Sequence, residues 1–448
     1  MNFTLINHAC VKIRIGNLGI LCDPWLDGPV FNNGWLLLSP TPVATAEIMD
    51  GVTYIWLSHE HPDHFSPKFL FEIAKSHADK ITILFQKTRD GRVKSFCEAR
   101  GFRVQEIAES DLVSLGDGVT VRVGKSDFYD SWLFLDDGHT RVMNLNDCPM
   151  RAEKDIGRAL KAAGHPDVLL TQFSYAAWKG GRDNKTFREE AAREKLNTVC
   201  AQIRVLQPRF VIPFASFSYF ANPENFYLND SINTPALAAQ AIDHSGTTAV
   251  VLYPGDSWQA GAPHCNDSAL ARFSSVYANL TSLPLLPLES SVPVPILEQK
   301  FAVYRNRLYK KNSRLVIRLL RALPVFGIFY PVIVGLTDTN QVIRLSVVDG
   351  FSILPPNTAS EVQMHSASLA FIFDNEFGFD TLTVNGRFEA TPTGFSRMVK
   401  GFALGSLNTL GLTLSLRILR NPDVVTTLLS RLANVMKRLP NRRMEVED

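Results

Sequence analysis

The sequence predicts an α/β fold followed by a smaller α+β domain, and three observations carry that expectation. Apolar runs of strand composition alternate with helical stretches from Lys68 to Leu206, the pattern of strands covered by helices. One strand-to-helix loop, Ser58-His59-Glu60-His61-Pro62-Asp63-His64-Phe65, concentrates metal-ligand side chains. Composition then shifts near Ser282 to Pro295, rich in Pro, Ser and Leu, which places a boundary between a domain at 1–280 and a second at 296–448.

In chain order, Phe3 to His8, Val11 to Ile15 and Gly19 to Asp23 read as the first strands. The loop that follows, from Asp23-Pro24-Trp25-Leu26 through Asn32-Asn33-Gly34-Trp35 to Pro42, is rich in turn formers and aromatics and poor in charge, so it reads as rigid. Tyr54-Ile55-Trp56-Leu57 is a strand, and Lys68 to Ala74 a helix with Pro67 in its first turn. Strand, helix and strand follow at 80–86, 91–101 and 102–107. Two strands then end in carboxylates on one side, Asp130 opening the first and Asp147 closing the second; in an antiparallel hairpin those ends meet. A strand at 167–173, a helix at 189–206, a strand from 207 into an aromatic loop at 217, and a last strand at 249–256 complete the domain. The second domain reads as a basic helix at 297–323, strands at 342–348, 369–373 and 381–388 with Asn385-Gly386 as a turn, and a basic amphipathic helix at 424–439.

At 448 residues, 46% apolar and 20% charged, the chain can bury more than one core. A formal charge of +2 argues against a nucleic-acid binder. Six scattered cysteines without a C-x-x-C pair fit a reducing compartment, and the N-terminus has no secretory pattern, so a cytoplasmic protein is expected. The apolar run from Ala322 to Leu336 is broken by Pro324 and Pro331 and falls short of the roughly 20 residues that span a bilayer. The basic helices offer contact to an acidic membrane surface or a protein partner.

The chemistry lies in the histidine loop. Of ten histidines, His59, His61 and His64 fall within six positions, with Asp63 between the last two. Neutral imidazole and carboxylate are ligands of zinc and non-haem iron. The H-x-H-x-D-H spacing resembles the metal loop of the metallo-β-lactamase fold, an αββα sandwich. That resemblance implies a dinuclear centre, with His59 and His61 on one metal, Asp63 and His64 on the second, and Asp147 bridging. Asp130 stands where hydrolases of the fold carry a third histidine, and Asp127 is its rival. His8 could approach as ligand, proton shuttle or structural histidine, and Asp256 as a supporting or a plain turn carboxylate. Asp63 and Asp147 are the residues expected to serve catalysis.

Further stretches resemble one branch of the fold, the CMP-N-acetylneuraminate hydroxylases. They are Asp23-Pro24-Trp25-Leu26 with Gly28-Pro29, Gly34-Trp35, Asn144-Leu145-Asn146-Asp147-Cys148, Leu206-Gln207-Pro208-Arg209 and Pro213-Phe214-Ala215, in the same order over residues 1 to 260. The resemblance implies an oxygen-using hydroxylase acting on a small molecule at two metal ions. An oxygen-rich donor set favours iron, with zinc or manganese open. No cysteine here sits in the C-x-H or C-x-x-H of that family's Rieske module, so an external electron donor is expected. Asn222 replaces the histidine of the family's later loop. The alternative is a dinuclear zinc hydrolase of the same fold, acting on a phosphodiester, ester or lactone. The aromatics Tyr129, Trp132, Tyr175, Trp178, Phe214, Phe217 and Tyr219 are candidates for lining the substrate pocket.

Overall fold

The computed structural model describes residues 1–109, 111–126, 130–322 and 328–415. Asp127, Tyr129 and the basic stretch at 424–439 lie outside the described residues.

Two seven-stranded sheets form the larger part. The first runs in the order Ser257–Gln259, Asn2–Asn7, Cys10–Ile15, Leu18–Cys22, Tyr54–Leu57, Thr82–Gln86, Arg103–Ile107. It opens with antiparallel pairs and turns parallel from Leu18–Cys22 onward. The second runs Thr248–Ala249, Phe210–Phe214, Val168–Gln172, Arg141–Asn146, Asp130–Asp136, Val119–Ser126, Val113–Gly116. Phe3, Ile13, Ile20 and Trp56 from the first sheet share one buried cluster with Val121, Leu133, Met143 and Leu169 from the second, so the core lies between the sheets. The helix Pro67–His77 covers the outer face of the first sheet through Phe69, Leu70 and Ile73. Its N-terminus is fixed by Ser66, whose hydroxyl accepts from Phe69 N, and by Pro67, whose missing N–H costs nothing there.

The apolar run at 249–256 does not continue as a strand. Only Thr248–Ala249 pairs with Phe210–Phe214. Val251 then donates to the Asn266 side chain, and Gly255 donates to the Leu5 carbonyl. The chain has crossed to the other sheet, where Ser257–Gln259 pairs beside Asn2–Asn7. Buried backbone needs partners, and here loop groups supply them.

The C-terminal part holds a five-stranded sheet in the order Gly350–Leu354, Gln341–Ser346, Val332–Leu336, Val362–Met364, Glu389–Ala390. The expected helix at 297–323 is two helices, Val294–Lys311 and Arg314–Ala322, separated where Asn312 turns inward to Leu308 O and Asn408. The second exposes Leu315 and Leu319 beside Arg314 and Arg318. The expected strands at 369–373 and 381–388 are helices, Ser366–Asp374 and Gly378–Asn385. The first is buried on most sides, so its sequence is apolar without a helical stripe. The second ends in Asn385, and Gly386 takes a left-handed φ of 68° as its C-terminal cap rather than a hairpin turn. Among the described residues no helix is long and apolar enough to cross a membrane.

Candidate metal centre

Four strands stop at one rim of the sandwich, each at or just before a non-glycine residue of positive φ. These residues are His8 (38°), Asp23 (42°), Asn146 (46°) and Ala215 (51°). Left-handed backbone at such residues costs on the order of 1–3 kcal/mol each and persists where the surroundings impose it, typically at functional sites. Here the sharp exits turn side chains at the strand ends toward the histidine loop. The Asn7 side chain accepts from His8 N, and the Asn144 side chain accepts from Asn146 N; Asn146 in turn accepts from Asp147 N.

The loop residues converge into three overlapping groups that could each hold a metal: His59–His61–Asp130, His59–His64–Asp147 and His8–Asp63–His64. His59 Nε2 lies 2.8 Å from His61 Nδ1 and 3.8 Å from Asp130 Oδ1. On the other side, His64 Nε2 lies 3.4 Å from Asp63 Oδ2 and 3.6 Å from Asp147 Oδ1, and His8 Nε2 lies 3.5 Å from Asp63 Oδ2. Asp147 Oδ1 is also 3.9 Å from His59 Nδ1, so it stands between the two halves. The hairpin expectation for Asp130 and Asp147 matches the observed pairing, in which Leu133 opposes Asn144 and brings both ends to the rim.

Two residues orient the imidazoles. Asp23, fully buried, accepts from His64 Nδ1 at 2.9 Å and from Ser58 N at 2.8 Å. Ser58 Oγ is 2.9 Å from His59 Nδ1. Such carboxylate–histidine contacts fix the tautomer and aim the second nitrogen. Neither residue is among the ligands the sequence leads one to expect. Asp23 carried a usable signal: a carboxylate closing a strand that pairs, through Cys22 and Trp56, with the strand before the histidine loop.

The electrostatics differ across the centre. Burial opposes charge on His64, but Asp63, Asp147 and Asp23 outweigh it and raise its pKa well above the usual histidine range. Burial would raise Asp63, yet His64 and then His8 hold it well below the carboxylate range. Asp147 is lowered in the same way, burial being outweighed by His64 and His59. His59 is instead pushed well below 6.5, by burial first and by His64 and His61, despite the opposing pull of Asp147. Lys195, on the helix Lys185–Leu206, is brought down to about 8 by burial and Arg151, with Asp147 and Asp130 opposing. Sequence reading had no cue for it, since it lies 48 residues after Asp147 on an amphipathic helix.

Among the residues of these groups, four buried atoms have no hydrogen-bond partner: His8 Nδ1, Asp63 Oδ1, His64 Nε2 and Asp147 Oδ1. Unmet buried polar atoms cost about 1–3 kcal/mol each. Two of them, His64 Nε2 and Asp147 Oδ1, stand 3.6 Å apart within these groups, and a cation there would satisfy both. The donor set therefore fits metal binding.

The remaining candidates sit elsewhere. Asn222 is buried, where its side chain accepts from Glu224 N and its own N–H donates to Asn225. Asp256 accepts from Tyr253 N and pairs with Arg272. Of the aromatics, Tyr175 and Tyr219 line a narrow cavity of about 20 Å³ with His8, Trp35, Gln172 and Phe220. That is room for about one water. Trp132, Phe214 and Phe217 belong to the core between the sheets, and Trp178 stacks on Phe388 and Phe395.

A family model described as the β-lactamase superfamily domain matches residues 2–215. This is a metallo-β-lactamase fold domain. Among curated proteins, the cytidine monophosphate-N-acetylneuraminic acid hydroxylase of Danio rerio is 25% identical over 356 residues, covering 71% of this chain and 58% of its own. The Xenopus laevis hydroxylase is 26% identical over 250 residues, 51% of this chain and 40% of its own. The inactive human one is 24% identical over 250 residues, 52% and 48%. The chain thus spans about half the length of the curated relatives it matches. Among solved structures, CmlA, a diiron β-hydroxylase from Streptomyces venezuelae, is 15% identical with a TM-score of 0.43, covering 58% of this chain and 54% of that one. A possible metal-dependent hydrolase from Veillonella parvula is 17% identical with a TM-score of 0.44, covering 58% and 98%.

Proposed function

We propose that the chain is a dinuclear metal-dependent hydroxylase, using molecular oxygen and an external electron donor on a small substrate. Cytidine monophosphate-N-acetylneuraminate is the first substrate to try. The observation that carries this reading is the donor set: Asp130 completes the His59–His61 group, and Asp63 and Asp147 flank His64. Three carboxylates make the centre rich in oxygen, which favours iron or manganese over zinc. The curated relatives, all named as hydroxylases of one kind, support it. His59, His61 and Asp130 would hold one ion, His64 and Asp63 the other, with Asp147 between. Two irons would supply oxygen activation at this place, whereas two zincs would supply a water of lowered pKa.

The chain's own groups do the rest. Asp23 and Ser58 hold the His64 and His59 rings in orientation. Trp35, Tyr175, Tyr219 and Phe220 narrow the space next to His8 to about one water, and Gln172 offers an amide there. Hydroxylation inserts one oxygen atom into a C–H bond and releases the other as water. Two electrons and two protons must therefore come from the donor.

One observation favours the second reading, a zinc hydrolase. His8 joins Asp63 and His64, adding an imidazole and making that half more suited to zinc. The test separates the two. Protein purified without oxygen is analysed for metal, then given reductant, oxygen and the nucleotide sugar. Two irons with oxygen uptake and a product one oxygen heavier support hydroxylation. Two zincs, with no oxygen uptake and turnover of a phosphodiester or lactone, overturn it.

A further inference from the structure

The C-terminal part carries none of the groups described above, yet it reaches the histidine loop at two points. The first runs through the turn after the Asp23-Pro24-Trp25 stretch. Phe31, Asn32 and Asn33 are consecutive residues with φ of 52°, 53° and 56°. A left-handed run without glycine is costly, most of all for the bulky Phe31, and holds only when its surroundings impose it. The restraint comes from the far end of the chain. The Asn385 amide donates to the Phe31 carbonyl at 3.0 Å. Arg387, fully buried, donates to the Asn32 carbonyl at 2.9 Å and is neutralised by Glu224 and Glu289. Glu289 also accepts from the Asn33 side chain at 3.1 Å. The Asn225 amide donates to the carbonyls of Gly34 and Asn385, at 3.0 and 2.6 Å, and closes the network. A Cβ on Gly34 would stand 2.4 Å from Asn385 Cβ, so the two segments meet without a gap.

The held turn delivers one side chain to the centre. The Phe31 ring lies 5.8 Å from the His61 ring, edge to face at 69°, and is fixed from behind by Trp35 at 4.7 Å. At the second point, Arg92 pairs with Glu60 at 3.4 Å while its guanidinium lies 4.8 Å over the Phe377 ring. Glu60 and His61 are thus both braced by groups tied to the C-terminal part. His64 instead meets Asp23, Ser58, Asp63, Asp147 and the rings of His8 and His59, all in the larger part.

We infer that Asn385 and Arg387 are positioning residues of the metal centre, which act through the 31–34 turn and Phe31 to set His61. The C-terminal part then tunes the group formed by His59, His61 and Asp130 and leaves the group around His64 untouched. This rests on the metal reading proposed above.

The test is cobalt(II) titration of full-length, metal-free protein, followed optically, which resolves two binding steps. Arg387 variants would leave buried Glu224 and Glu289 unpaired and could fail to fold, so the probes are Asn385→Asp and Phe31→Leu. Asn385→Asp keeps the shape and removes the donor. Phe31→Leu removes the ring and keeps the Phe31 carbonyl that Asn385 bonds. Each should weaken one step about tenfold, as loss of support behind a ligand does, and leave the other unchanged. In a His61→Ala background, which loses that step, neither change should weaken the step that remains, because the route runs through His61. Equal weakening of both steps, no weakening, or weakening of the step that remains in His61→Ala overturns the inference alone. A wild-type protein that takes up fewer than two metals overturns the functional reading and the inference with it.

Discussion

The two halves of the centre are built differently. The half around His64 is made from strand ends of the sandwich: His8, Asp23 and Asp147 leave or close strands, and all its members but Asp147 are buried. The half around His61 takes two residues from the loop and Asp130 from a strand start; His61 and Asp130 are partly exposed, and the brace behind His61 comes from the C-terminal part. The first is rigid because the sheets are rigid. The second is as firm as an interface between two parts of one chain. Metal-binding experiments can break or sharpen that contrast.

The largest effect is expected at the residue the halves share. Asp147→Ala should remove both metals and all turnover; two metals retained on elemental analysis would separate Asp147 from the centre. His61→Ala should lower the stoichiometry by one and spare the half around His64. Asp23→Asn should do the reverse, weakening the His64 half about 10- to 100-fold in affinity and leaving the other step in place.

A subtler difference concerns protons. His64 is raised above its unfolded value of about 6.5, so in the metal-free protein it is charged around neutrality. Its stabilising contribution is complete below pH ~6.5 and is lost as pH rises through the elevated value. A metal needs the ring neutral, so filling this half should release a proton, and its apparent affinity should climb with pH. His59 is already neutral there, its pKa lying well below 6.5, and should release none. Proton release recorded during titration in weak buffer at pH 7 checks both statements; equal release at both steps would contradict them. The smallest effect is on stability. Gly34→Ala forces Asn385 aside and should cost about 1–3 kcal/mol in denaturant unfolding.

The sequence revealed the first sheet and the donor set more readily than the rest, for identifiable reasons. Strands such as Tyr54–Leu57 are short, apolar and flanked by turn formers, and the histidines are adjacent along the chain. Asp130 and Asp147 could be paired because hairpin ends meet. Asp23 carries no local signal beyond its Asp-Pro-Trp motif, because its partner His64 is 41 residues away and only the parallel pairing brings them together. The stretches 369–373 and 381–388 misled because buried helices show no polar stripe and Gly386 serves a cap as readily as a turn. Nothing local in Phe31-Asn32-Asn33 announces three left-handed residues; that conformation is imposed by Asn385 and Arg387.

The bond from Asn385 to Phe31 spans 354 residues. At ribosomal speeds of about 5–20 residues per second, Phe31 is made on the order of 20–70 s before its partner exists. During that interval the nascent sandwich can place His64 against Asp23 but has nothing to hold the turn beneath His61. The two halves of the centre are therefore completed at different times in the life of the chain, and the one set by Asn385 and Arg387 is the later to mature.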